Sequence, residues 1–137
     1  MTYGKLNIAG GLLFLAAFMA YGFLLIYLRD FAPGKEQWVA DYGLGKHFEA
    51  RLAHVHGNLF ALLNVLVGYL VWKLPIDQTS ARWVSWLAFA GMLMPIGILA
   101  ELVLGAPPVF VLIGAALIVV AMAWLGLAVW RSRFTPA

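Results

Sequence analysis

The run Arg51-Leu52-Ala53-His54-Val55-His56-Gly57-Asn58 places a guanidinium, two imidazoles and an amide at the head of a largely apolar segment that reaches Trp72. Polar and ionisable side chains are expensive inside a bilayer and mark either a functional site or a buried pairing. Neutral imidazole is also the commonest nitrogen ligand for metals and for haem iron. Successive helical residues rotate by about 100°, so His47, Arg51, His54 and Asn58 fall within about 60° of one another, whereas His56 points almost the opposite way from His54. Side chains at i and i+2 do not converge on a helix. His54 and His56 therefore cannot chelate one cation. Each serves a different partner, or one of them is structural. Gly57, Asn64 and Gly68 form a further strip, where small residues let another helix or a flat cofactor come close.

One acid, Glu101, lies well inside an apolar segment, at about the depth of Arg51 and His54. Tyr21 and Tyr27 approach the same depth from the first apolar run. The sequence thus predicts that Arg51, His54, His56, Asn58, Glu101 and Tyr21 gather in one half of a helical bundle. A carboxylate bonded to a ligand imidazole would orient the ring and raise its basicity. The plainer roles stand beside these. Arg51 and Glu101 suit a structural ion pair, since each charge needs a partner in low dielectric. Intramembrane His and Asn can bond across helix interfaces. His47, at the membrane surface, is expected to be solvated.

The elements that must position these groups follow from composition. The chain has 137 residues, 64% hydrophobic and 11% charged. Soluble domains have about 45–50% apolar and about 25% charged residues, so this is an integral membrane protein. Its length holds one domain of four spans at about 20 residues each. The spans are read as 6–28, 48–72, 82–104 and 109–130. The first apolar run is longer than the h-region of a signal peptide and is read as a retained span. The connection from Phe31 to Lys46 carries Pro33-Gly34, Gly43 and Gly45, all turn signals, with Trp38 and Tyr42 suited to the interface. It is expected to fold over the membrane surface as a short helix or lid. Thr79 or Ser80 is expected to cap the third span, and Pro95 to kink it.

Four spans put both termini on one side, with Lys5, Lys73, Arg82, Arg131 and Arg133. Arg29, Lys35, Lys46 and Arg51 fall on the other. The small excess favours cytoplasmic termini, and the reading taken is a bacterial inner-membrane protein. The net charge of +3 suits contact with membrane lipid better than nucleic acid, for which no basic stripe with interleaved aromatics is present.

With no cysteine, disulfides, thiolate ligands, iron–sulfur clusters and covalent c-type haem are excluded. No phosphate loop, dinucleotide fingerprint, nucleophile elbow or His-Glu-x-x-His motif occurs. The acids and histidines are too sparse for a di-iron bundle site. Haem b fits what remains. It needs one axial imidazole, an apolar slot and cations for its propionates. His54 or His56 can supply the ligand, Gly57 the clearance, and Arg51, Lys46 or His47 the propionate contacts. A quinone or lipid-soluble substrate pocket and a purely structural subunit also stay open.

Ala53-His54-Val55-His56-Gly57, followed by an asparagine and a long apolar helix, resembles the second helix of the styrene oxide isomerase family. The resemblance implies a small four-span haem b protein, assembled as trimers, in which ferric haem acts as a Lewis acid. The implied reaction rearranges an aromatic epoxide to an aldehyde without net redox change. An Ala-His-x-Gly pattern supplies the family's axial ligand, and an asparagine further along places the substrate. Here His54 matches the alanine context, His56 directly precedes the glycine, and Asn58 and Asn64 both qualify as the asparagine. Where the family has a third-helix tyrosine, Ile96-Gly97-Ile98-Leu99 is apolar. The expectation is an all-α, homo-oligomeric transmembrane four-helix bundle. It binds haem b through His54 or His56, and Asn58, Asn64 or Tyr21 orients a small lipophilic substrate. The alternatives are a haem- or quinone-associated subunit for electron transfer or assembly, and a cofactor-free structural protein.

Overall fold

Four helices are long and apolar enough to cross a membrane: Tyr3–Asp30, Gly45–Lys73, Gln78–Leu104 and Val109–Arg131. The computed structural model describes residues 2–132, so Arg133, counted above on the side of the termini, lies outside the described residues. In chain order the elements are α1 (Thr2–Asp30), α2 (Lys35–Ala40), α3 (Gly45–Lys73), α4 (Gln78–Ala90), α5 (Leu93–Leu104) and α6 (Val109–Arg131). The architecture is an all-α four-helix transmembrane bundle. α4 and α5 together make the third span, and α2 is the short surface helix between the first two.

The third span starts earlier than expected because Asp77 caps it. The Asp77 carboxylate accepts from the Ser80 backbone N–H at 2.9 Å, so the cap is neither Thr79 nor Ser80. The break between α4 and α5 sits at Gly91-Met92, one turn before Pro95. In a regular helix the proline ring would collide with the carbonyl four residues back, which is that of Gly91. The Gly91 carbonyl instead accepts from the Met94 N–H at 3.0 Å, and the chain turns there.

α1 and α3 are antiparallel and packed along most of their length. Their register is set by small residues. A Cβ on Gly68 would meet the Gly4 carbonyl oxygen at 2.5 Å, and one on Gly11 would meet the Ala61 carbonyl oxygen at 2.8 Å. Further along, the Phe18 ring fills the space above Gly57. Without a hydrophobic drive between helices in lipid, such close backbone approach is what gains packing energy. Gly57 and Gly68 therefore admit α1. The clearance expected for haem at Gly57 is taken by Phe18.

The core between α1, α3 and the third span contains Phe60, Ala61, Val67, Val84 and Ala88. It also holds a closed polar knot. Asn7 Nδ2 donates to Asn64 Oδ1 and to the Ser85 carbonyl, both at 2.9 Å. Asn64 Nδ2 donates to the carbonyls of Phe60 at 3.1 Å and Ala88 at 3.0 Å. The Ser85 hydroxyl bonds with Asn7 Oδ1 and the Tyr3 carbonyl. Asn7, Asn64 and Ser85 are each 0% exposed, and the knot ties three spans together at one depth. α6 packs chiefly on α4 and α5, where Gly114 lets it approach the Met94 backbone.

Candidate functional site

The last turns of α1 and the first turns of α3 diverge enough to leave a cleft of about 620 Å³. Its walls include Met19, Phe23 and Ile26 from α1, Tyr42 from the connection, and His47, Arg51, His54 and Asn58 from α3. The four α3 residues are the face that helical spacing predicted. A volume of this size falls in the range of small-molecule and cofactor sites, about 300–1,000 Å³.

His54 is held from both sides. Its ring lies over Gly22 of α1, where a Cβ would meet the imidazole Cε1 at 2.8 Å. Its Nδ1 is 3.0 Å from the Phe18 carbonyl oxygen. A carbonyl only accepts, so in the neutral ring Nδ1 carries the proton and Nε2 keeps its lone pair. Metal-bound histidines are commonly oriented by such a bond from the other ring nitrogen. The Tyr21 ring stands 6.1 Å from that of His54, tilted by 52°, behind the cleft wall.

Asn58 sits one turn above. Its Nδ2 donates to the His54 carbonyl at 2.9 Å and lies 3.4 Å from Nε2, a long contact. Its buried Oδ1 has no partner. A buried acceptor left unpaired costs about 1–3 kcal/mol. Asn58 therefore keeps its amide nitrogen against the imidazole and buries an unmet acceptor one turn above it.

The mouth is cationic. Arg51 lies with its guanidinium carbon 3.5 Å from the centre of the Tyr42 ring and donates to the Tyr42 carbonyl at 3.0 Å. Arg29 pairs with its neighbour Asp30 at 2.7 Å. His47 is 5% exposed, which corrects the expectation that it is solvated. Its Nδ1–H bonds to the Trp38 carbonyl, its ring stacks on Trp38 at 4.4 Å, and the Tyr42 ring meets it edge-on. α2 thus folds back as the surface helix expected, with His47 buried beneath it.

The remaining expected residues lie elsewhere. His56 bonds through Nδ1–H to the Leu52 carbonyl at 2.9 Å and packs by Phe60, away from this cleft. Glu101, half-buried on α5, makes no ion pair or hydrogen bond with Arg51, His54 or His56 among the described residues. Asn64 belongs to the polar knot, not to the cleft. The structure adds Gly22, Met19, Phe23 and Ile26, and brings in Arg29 and Tyr42, which the sequence had marked only as a loop cation and an interfacial aromatic. Glycine in α1 was a visible signal, but only the register with α3 puts Gly22 under a histidine.

No group of three or more His, Asp or Glu side chains converges among the described residues. The arrangement suits a cofactor-held metal that needs one protein ligand, with apolar walls for a flat ring system and guanidiniums near anionic substituents. No family model, curated protein or solved structure matches this chain.

Proposed function

We propose that this membrane protein binds haem b in the cleft between α1 and α3 through His54, and isomerises a small lipophilic aromatic epoxide to its carbonyl isomer. The observation that carries the reading is the fixed tautomer of His54. Its Nδ1–H is bonded to the Phe18 carbonyl, and the side chain lines a cleft with apolar walls and a cationic mouth. The resemblance of the Ala53–Gly57 run to the styrene oxide isomerase family supports the choice of reaction.

Ferric haem held by His54 would supply a Lewis acid, which suits an isomerisation that needs no external reductant. The chain's own residues do the positioning. Phe18 and Gly22 hold the imidazole plane. Arg51, stacked on Tyr42 and with no carboxylate partner among the described residues, would be the cation for the propionates. Met19, Phe23 and Ile26 exclude water from the reacting groups and admit a substrate from lipid. The Asn58 amide, anchored to the His54 carbonyl, stands against the imidazole and helps keep it in place.

Electron transfer through a six-coordinate haem needs a second axial ligand. His47 is the other imidazole on the cleft, but its ring is sandwiched against Trp38 and Tyr42. The isomerase reading therefore expects an open, high-spin iron. The test is the visible spectrum of gently purified protein, followed by assay with styrene oxide as probe. A haem band with high-spin character and aldehyde formation is the expected result. Protein that stays colourless when haemin is supplied overturns the reading.

A further inference from the structure

A second cleft, of about 720 Å³, opens between α4 and α6 at the opposite end of the bundle. Two kinds of surface meet in it. Val120, Ala123 and Leu127 of α6 form an apolar groove, which runs about 16 Å from Val120 to Arg131 at the helical rise. That is roughly half of a hydrocarbon core of about 30 Å. At the water end stand one anion, Asp77, and one cation, Arg131. They share the cleft without pairing with each other; the ion pair found among the described residues is Arg29–Asp30. The inner wall is fixed by the Trp124 indole N–H, which donates to the Ser80 hydroxyl at 3.1 Å.

Asp77 uses one carboxylate oxygen, Oδ1, to cap α4, and the side chain is exposed at the cleft. The Ser80 backbone N–H holds this carboxyl below the usual carboxylate range, so it is charged at neutral pH. An anionic headgroup placed at Arg131 would bring a second negative charge towards Asp77. A zwitterionic headgroup answers both charges. We infer that this cleft is a binding site for phosphatidylethanolamine, with phosphate at Arg131, the primary ammonium at Asp77 and one acyl chain along Val120, Ala123 and Leu127. Choline lacks N–H donors and cannot make the charge-assisted hydrogen bond to Asp77.

The test is native mass spectrometry of the full chain, purified in mild detergent and titrated with phosphatidylethanolamine, phosphatidylcholine or phosphatidylglycerol of identical acyl chains. Phosphatidylethanolamine is expected to bind at least about tenfold more tightly than either of the others, the size of one charge-assisted hydrogen bond. Asp77→Asn keeps a side chain able to cap α4 and removes the charge. It is expected to bring phosphatidylethanolamine down to the level of phosphatidylcholine. Arg131→Gln is expected to weaken all three lipids, and Ala123→Phe, which fills the groove, to weaken them further. Equal retention of the three lipids by the unaltered chain, a preference for phosphatidylglycerol, or a phosphatidylethanolamine preference that survives Asp77→Asn overturns the proposal.

Discussion

At the scale of single residues, the two imidazoles near the start of α3 separate by environment. Both carry the Nδ1 proton, bonded to a backbone carbonyl, so that Nε2 keeps its lone pair in each. Of the two residues, His54 lines the α1–α3 cleft and His56 does not. His54→Ala is therefore expected to abolish the haem band, and His56→Ala to retain it, as read by absorbance per unit protein. Gly22→Val tests the same site from α1. A Cβ there already meets the His54 ring, so the larger side chain displaces it, and haem loss with a little-changed helical circular dichroism signal is expected. The chemistry-bearing face of α3 was legible from helical rotation alone, because His47, Arg51, His54 and Asn58 lie on one helix. The choice between His54 and His56 was not, since it depends on which neighbour each side chain meets. The pairing of Gly22 with His54 was likewise hidden. α1 is apolar around most of its circumference, so no periodicity shows which side meets α3.

At the scale of elements, the same limit applies to depth. Counting residues puts Glu101 and Arg51 at one level, but an ion pair also needs the two side chains to face each other. Arg51 turned to Tyr42 instead. Asn64 shows the converse. Its sequence context suits either a site or a helix contact, and partners from α1 and α4 make it the centre of a knot. Asn64→Leu is expected to lower unfolding stability by about 1–2 kcal/mol, because the Asn7 amide loses a partner and the Ala88 carbonyl a donor. Haem content is expected to stay unchanged, and thermal unfolding in detergent with haem absorbance checks both. The Asp77 cap gives a pH-dependent counterpart. Its folded pKa lies below the unfolded one, so its contribution is present above the unfolded pKa and is lost as pH falls through the folded value. The melting temperature of the unaltered chain should thus drop on acidification below the ordinary carboxylate range by more than that of Asp77→Asn, whose cap does not titrate.

At the scale of the whole molecule, four crossings were legible because bilayer thickness imposes a minimum apolar length that polar breaks interrupt. The breaks fall at Arg29-Asp30, at Lys73 to Gln78 and at Gly105 to Pro108. The division of the third span at Gly91 was legible only as a kink at Pro95. Orientation rests on a basic residue or two and is open to direct measurement. The chain has no cysteine, so any introduced one is its sole thiol. Gly43 has open space around it, and Thr79 is exposed at the other end. With cytoplasmic termini, Gly43→Cys should react with a membrane-impermeant maleimide in intact spheroplasts, and Thr79→Cys only after lysis. The reverse pattern would invert the topology.

The knot of Asn7, Asn64 and Ser85 lies about 22 Å along α1 from Gly22, at the helical rise. Sliding one of these helices past another would break several of its bonds at once, whereas parting the far tips of α1 and α3 breaks none of them. Any opening of the α1–α3 cleft that keeps the knot intact is therefore widest at the mouth, where Arg51 stands.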